Sequence, residues 1–496
     1  MKFRTLTCVT AIVLFATLAT SVRLSAQQTQ YRLIDIGTLG GPSAHGPGNG
    51  PGSQLLNNAG IVAGTADTSE PDPNAPNCAN SDCFVSHAFH WNRGVLTDLE
   101  VLSGVNWTHG NAINARGWVA GTSTTGEIDP LSPCGFQPLC LQFHAVLWNG
   151  VDIINLGTLG GLGSDASYVN NGGQVIGSST INTTPDPFSF LGAQTHAFIW
   201  KDGVMRDLGT LGGTDSGASP GCDNQHSNLV AGQSFTDPIP IPNPSTGFPT
   251  QHAFLWENGK MTDIPTLGGT LAMAQCANNR GQVIGQSNLT GDGEQHAFFW
   301  DNGVLTDLGT LGGSLSQAIW INDAGEAVGG AYTAGDEEFH ATSWRNGQIT
   351  DLNPADDCFS MAWAINSKGQ IVGESFNCDT GALRTVVWDK GTAIELNVPI
   401  PAPTNINDRG EIAGVGLPAG CDDPDMCGHE FVLVPCDAAG THCEGNVVSA
   451  DTVSPIVKTN PTTPAQRRQM TKEFVAQLRA CLAQHYHFSG IGTPRK

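Results

Sequence analysis

Carboxylates crowd into a few short stretches of this chain: Glu70, Asp72 and Asp82; Glu127 and Asp129; Asp336, Glu337 and Glu338; Asp422, Asp423 and Asp425. Brought together in space, such side chains could hold calcium or a cationic ligand. Two of them about 5–10 Å apart could act as acid and base in sugar cleavage. None of the stretches has the spacing of a calcium-binding loop, and a solvated acidic rim is the plain alternative. The candidate ligand-binding residues are Asp336, Glu337, Glu338, Asp422, Asp423 and Asp425, with calcium as the ion such a site could take. No catalytic pair can be chosen without distances, and no metal site or cofactor is assigned.

Seven histidines, His87, His144, His196, His252, His296, His340 and His429, recur in one frame, with Arg384 where an eighth would stand. A ring of identical metal sites would not tolerate arginine, which has no lone pair to give. A structural role follows. No nucleophile elbow and no zinc-protease motif appears.

The elements that must position these residues are read from a repeat stated eight times between Asp35 and Leu433. Each unit has an Asn (Asn57, Asn114, Asn170, Asn224, Asn278, Asn322, Asn366, Asn407), with Gly seven residues later in all but the Asn224 unit. A variable insert follows, then a short strand opened by His and closed by Trp, then a tight turn and an Asp-Leu strand. Asn-Gly or Asp-Gly at 149–150, 202–203, 258–259, 302–303 and 346–347, set between apolar runs, predicts β-hairpins. Two further short strands flank each Asn-x-x-Gly turn. Successive Asn lie 57, 56, 54, 54, 44, 44 and 41 residues apart, the length of one four-stranded propeller blade.

The eighth unit has no Asp-Leu strand before Pro435, whereas Tyr31–Ile36 supplies one ahead of the first full unit. The expected fold is therefore all-β, a closed β-propeller of eight four-stranded blades whose ring is closed by the N-terminal strand, plus one C-terminal helix. Closure removes exposed sheet edges. Seven blades would result if one unit were absorbed as a long insert.

HAFIW at 196–200, HAFLW at 252–256 and HAFFW at 296–300 resemble the extracellular repeat family named after its His-Ala-Phe motif, across nearly all of residues 31 to 434. The resemblance implies a secreted, bacterial, all-β repeat protein and carries no catalytic residues with it. Arg384-Thr385 in place of His-Ala, and the loss of Gly-Gly after Leu352 and Leu396, depart from the pattern.

In HAFLW the period of two puts His, Phe and Trp on one side and Ala and Leu on the other. A two-residue turn sets Asp263 opposite Phe254 and diagonal to His252, within reach of a hydrogen bond. The same pairing is expected of Asp35, Asp98, Asp207, Asp307 and Asp351, with Asn155 and Glu395 keeping an acceptor. The Gly-Gly pairs at 40–41, 160–161, 212–213, 268–269 and 312–313 let the chain cross from the outer strand of one unit to the inner strand of the next. Inserts and crossovers then share one face, which reads as the binding surface.

Lys2 and Arg4 precede an apolar run from Thr5 to Thr20 and small residues ending at Ala26, so residues 1–26 read as a cleaved signal peptide. That run is short of the roughly 20 residues of a spanning helix, so no transmembrane segment is expected in the mature chain. A secreted, periplasmic or extracellular location follows. In that oxidising setting Cys78 with Cys83, Cys134 with Cys140, Cys421 with Cys427 and Cys436 with Cys443 read as local disulfides. Cys222 with Cys276 could bridge adjacent units and Cys358 with Cys378 could lie within one, leaving Cys481 over.

Between residues 31 and 450 stand 12 Lys and Arg against 43 Asp and Glu, a net of −31. Such a surface repels nucleic acid and leaves cationic or glycan ligands plausible, although solubility alone would explain it. A monomer is expected. The propeller spans 31–435, a Cys-containing linker 436–463 and an amphipathic helix 464–488. In that helix Met470, Phe474, Leu478, Leu482 and Tyr486 form one apolar stripe, which could dock on the propeller. The function read from all this is a binding or structural module acting through its variable-loop face. A carbohydrate-active enzyme and a calcium-dependent adhesion protein are the alternatives.

Overall fold

The computed structural model describes residues 30–436 apart from 46–52, 74, 76–77, 79–81, 103–106, 132–140, 190, 220, 223–227, 355–356, 397, 399–401 and 422, together with 447–449, 469, 471 and 472. The segment 1–26, Asn224, Asp422, Cys134, Cys140, Cys443, Cys481 and most of 464–488 lie outside the described residues, as does the side chain of Asp425. The described chain is all-β. Its helical content is a 3-10 turn at Ala334–Asp336, one α-turn at Pro424–Cys427 and the residues 469, 471 and 472. Among the described residues no helix is long and apolar enough to cross a membrane.

One unit shows the plan. Gly268–Ala277, Val283–Leu289, Gln295–Asp301 and Val304–Asp307 pair antiparallel in chain order. The Asn302-Gly303 turn joins the last two with φ of 49° and 87°, values that Asn and Gly adopt most easily. A bulge between Ala274 and Cys276 kinks the first strand across from Gly285. A Cβ on Gly285 would stand 2.0 Å from the Met273 carbonyl and 2.8 Å from the Phe298 ring. That crowding explains the Gly seven residues after each Asn.

The Asn works harder than a turn residue usually does. Asn278 Oδ1 accepts the amides of Arg280 (3.0 Å) and Gln282 (3.1 Å), closing its own turn. Its Nδ2 donates to the carbonyl of Asn322 in the next unit (3.0 Å). The same bond runs from Asn57 to Asn114 (2.9 Å), Asn114 to Asn170 (2.9 Å), Asn322 to Asn366 (3.1 Å) and Asn366 to Asn407 (2.9 Å). Asn407 donates in turn to Asn57, at the other end of the repeat region (3.0 Å). Only an amide can accept within its turn and donate to a neighbour, so aspartate cannot substitute.

Thr-Leu-Gly-Gly is equally specific. Thr38 Oγ1 donates to the Gly41 carbonyl at 2.7 Å and accepts the Gly40 amide at 3.3 Å; Thr310, Gly312 and Gly313 repeat this at 2.8 and 3.0 Å. Gly312 has φ of +104°, and a Cβ on Gly313 would stand 2.5 Å from the Thr333 carbonyl, so each glycine has its own reason. Ser316 then bridges two units, accepting the Ala297 amide (2.8 Å) and donating to the Gly309 carbonyl (2.6 Å).

Burial is spread over layers between units. Phe254 and Trp256 pack with Ala197, Ile199 and Leu208 of the unit before, and Phe254 is fully buried. Each such ring contributes about 2–3 kcal/mol of transfer free energy. At the end of the repeat region Ala402–Ile406, Ile412–Gly416 and His429–Pro435 are completed by Gln30–Gly37, with Asp35 opposite Phe431. Val447–Ser449, from the stretch read as linker, pairs outside Gln30–Gly37. Thr471 is buried and donates to the Cys358 carbonyl at 3.4 Å, which seats this helical residue on the strand sheet.

Disulfides join Cys78 to Cys83, Cys222 to Cys276, Cys358 to Cys378 and Cys421 to Cys427. Cys436 is oxidised as well.

Candidate functional site

The acidic inserts are mostly engaged in holding their own loops. Asp336 sits at φ +55° beyond the strand Ala327–Thr333, and its carboxylate accepts the Ser314 amide (2.7 Å) and hydroxyl (2.8 Å). It thereby staples the insert to the Gly312-Gly313 crossover. Asp292 does the same one unit earlier, accepting the Thr270 amide at 2.7 Å. Glu338 reaches His340 Nε2 at 3.2 Å, whereas Glu337 is exposed. Asp423 opens the short helical turn inside the Cys421–Cys427 disulfide, and that turn packs on the strand Gly40–His45, far along the chain from Asp336. Among the described residues no group of three or more His, Cys, Asp and Glu converges as metal ligands would.

The repeated histidines meet their acids edge to edge. Nδ1 lies 3.0 Å from Asp98 in His87, 2.9 Å from Asp207 in His196, 2.8 Å from Asp263 in His252 and 2.9 Å from Asp307 in His296. His340 pairs with Asp351 at 2.8 Å, His429 with Asp35 at 2.9 Å, and His144 with the uncharged Asn155 at 3.1 Å. In the odd unit Arg384 Nε stands 3.6 Å from Glu395 and its Nη1 is 3.2 Å from the buried Asp357. Burial alone would raise the carboxyl of Asp207. The bonds from His196 and the Gly209 amide outweigh it and hold the group below its ordinary value. Asp35 and Asp351 are lowered in the same way. These pairs pin hairpins, and the acid also caps the turn that follows, as Gly209 N–H to Asp207 at 2.7 Å shows.

The inserts also hold a carboxylate pair with no signal in the spacing. Asp215 follows the Gly212-Gly213 crossover and accepts the Thr195 amide at 2.7 Å; Asp186, in the insert of the unit before, accepts the Phe188 amide at 2.7 Å. Burial pushes Asp215 up, and the adjacent, hydrogen-bonded Asp186 adds to this, to about 7. The ring of Phe188, two residues on from Asp186, lies edge-on to Phe235 (6.0 Å) and Phe248 (5.9 Å). Asp215, buried and bonded to the Thr195 amide, is held as a structural acid of the crossover.

Three glutamines are also invisible to motif reading. Gln275, Gln286 and Gln317, on the inner strands of two consecutive units, are 1, 1 and 0 % exposed, and neither amide atom of any has a hydrogen-bond partner. Buried amides of this kind call for ordered water or a hydrogen-bonding guest.

No family model and no curated protein matches the sequence. Among solved structures, the β-propeller domain of the Trilobed protease from Pyrococcus furiosus aligns with a TM-score of 0.41 at 9% identity, over 71% of this chain and 97% of that one. Dipeptidyl peptidase 4 of Porphyromonas gingivalis gives 0.39 at 10%, over 71% and 53%. The polysaccharide lyase Uly1 gives 0.38 at 8%, over 80% and 90%. Likeness at this level carries no activity over to the chain.

Proposed function

We propose that this protein is a secreted β-propeller of eight four-stranded blades, of the HAF-repeat type, closed by its N-terminal strand. It serves as a binding or structural module whose contact surface is the insert face. The observation that carries this reading is the meeting of the two ends of the repeat region. Asn407 Nδ2 bonds the Asn57 carbonyl at 3.0 Å, the Asp408 amide bonds Asn58 Oδ1 at 2.9 Å, and His429 holds Asp35 across the shared sheet. Repeated pins of similar geometry, with Asn155 and Arg384 as the variants, support a scaffold. The acids of the inserts, engaged in stapling loops, support contact rather than catalysis.

The test is to screen the purified full chain against glycans and cell-wall fractions, alongside a variant with Glu337→Gln and Glu338→Gln. Retention that weakens in the variant, with no release of reducing ends from the bound glycan, is the expected result. Turnover of the bound glycan would replace this reading with an enzyme.

A further inference from the structure

The groove between the last and first units carries a charge opposite to that of the rest of the molecule. It encloses about 860 Å³ and is lined by Arg32, Arg93, Arg409, Asp35, Glu411 and Trp91 over an apolar floor that includes Val432 and Val434. Three of the 12 cations between residues 31 and 450 meet here. Arg409 is held by Glu411 at 2.6 Å, and Asp35 by His429 at 2.9 Å. Among the described residues Arg32 and Arg93 make no ion pair, and Arg32 Nε is buried without a hydrogen-bond partner.

Both arginines stand at hairpin positions that the units fill variably. Positions equivalent to Arg32 hold Val95, Val204 and Val304, which are 63–65% exposed, and elsewhere Asp152, Lys260, Gln348 and Thr392. Arg93 sits at φ +50° in a turn where four other units place Asp202, Asn258, Asn302 or Asn346 at 49–51° and one places Lys390 at 51°. Asn and Asp enter that left-handed region at least cost, so arginine there is a conformational sacrifice. Neither exchange helps the hairpin. Both put a guanidinium on the same groove.

We propose that this groove binds the carboxylate of a single uronic acid residue at the end of an acidic saccharide, with Arg32 and Arg93 as donors and the sugar ring against the apolar wall beside Trp91. Guanidinium presents paired N–H groups matched to a carboxylate. Three guanidiniums against two carboxylates leave one net positive charge, which suits a monoanion. The surrounding field of −31 repels an extended polyanion, since charges within about 10 Å are not fully screened at ordinary salt. The site lies among the Asn-x-x-Gly and strand-three-to-four turns, at the opposite ends of the strands from the inserts, so it goes beyond the insert-face reading.

The test is calorimetric titration of the full chain with digalacturonate, its methyl ester and neutral digalactose. The acid binds, and the ester and neutral sugar bind at least about tenfold more weakly, the worth of one charge-assisted hydrogen bond. Arg93→Asn lowers affinity for the acid about tenfold without lowering the melting temperature, because asparagine suits the turn. Arg32→Gln lowers affinity too, and the Glu337→Gln, Glu338→Gln variant leaves it unchanged, separating this site from the insert face. Equal affinity for acid and ester, no binding of the acid at millimolar concentration, or undiminished binding by Arg93→Asn would each overturn the proposal.

Discussion

Glu430 stands where six other units place the alanine of His-Ala-Phe, such as Ala197, Ala253 and Ala297, each 0% exposed between neighbouring units. Glu430 is also 0% exposed, and neither carboxyl oxygen has a hydrogen-bond partner. Burial pushes it from 4.5 up to about 8. A folded value above the unfolded one gives stability that is fully present below pH 4.5 and is lost as the pH rises through 8. At about 1.4 kcal/mol per pH unit, protonating this group costs folding about 3 kcal/mol at pH 7 and levels near about 5 above pH 8. Glu430→Gln removes that dependence while keeping the shape. Urea unfolding of both proteins, followed by tryptophan fluorescence at about pH 5, 7 and 9, isolates it, since every other group cancels in the difference. The variant should gain little at the lowest pH and most at the highest. A difference that stays flat across this range would show that Glu430 is hydrated or paired in solution and would refute the reasoning.

Asn278→Ala strands the buried Asn322 carbonyl and opens the Asn278 turn, and should cost about 2–3 kcal/mol in urea unfolding, with Asn278→Asp no better. Gly285→Ala drives a methyl group into the Met273 carbonyl and should cost about 3 kcal/mol or more, read as lost melting temperature. Opening the Cys222–Cys276 disulfide, whose ends are 54 residues apart, by a double serine variant should cost about 4 kcal/mol in the same assay. Asp207, held below its ordinary value by His196, gives stability present above the unfolded pKa and lost as the pH falls through the folded one. Asp207→Asn should therefore flatten the acid limb of the stability curve and leave the alkaline limb unchanged.

What the sequence discloses here is local geometry. An Asn-Gly turn fixes register, and register fixes that His252 and Asp263, eleven residues apart, must be neighbours; they lie 2.8 Å from each other. The absent strand after Leu433 and the spare one at Tyr31 point to each other because an unpaired edge is costly. Partners in other units leave no such trace. Asn278 reads as a landmark, but the carbonyl it holds is 44 residues on, and Asp186 and Asp215 show no common pattern. Acidic density was a poor guide to Asp336, since composition does not reveal which backbone amides need an acceptor. Glu430 shows in the sequence as HEF among the HAF strands, whereas the sealing of that position between units is a property of the packing.

The amides of Asn57, Asn114, Asn278, Asn322, Asn366 and Asn407 all point the same way round, and the last reaches the first. Each of these six bonds ties one unit to the next with the same polarity. A protease that nicks the insert after Leu289 leaves Val283–Leu289 paired with Gly268–Ala277 and with Gln295–Asp301, so the cut molecule should migrate intact until denatured.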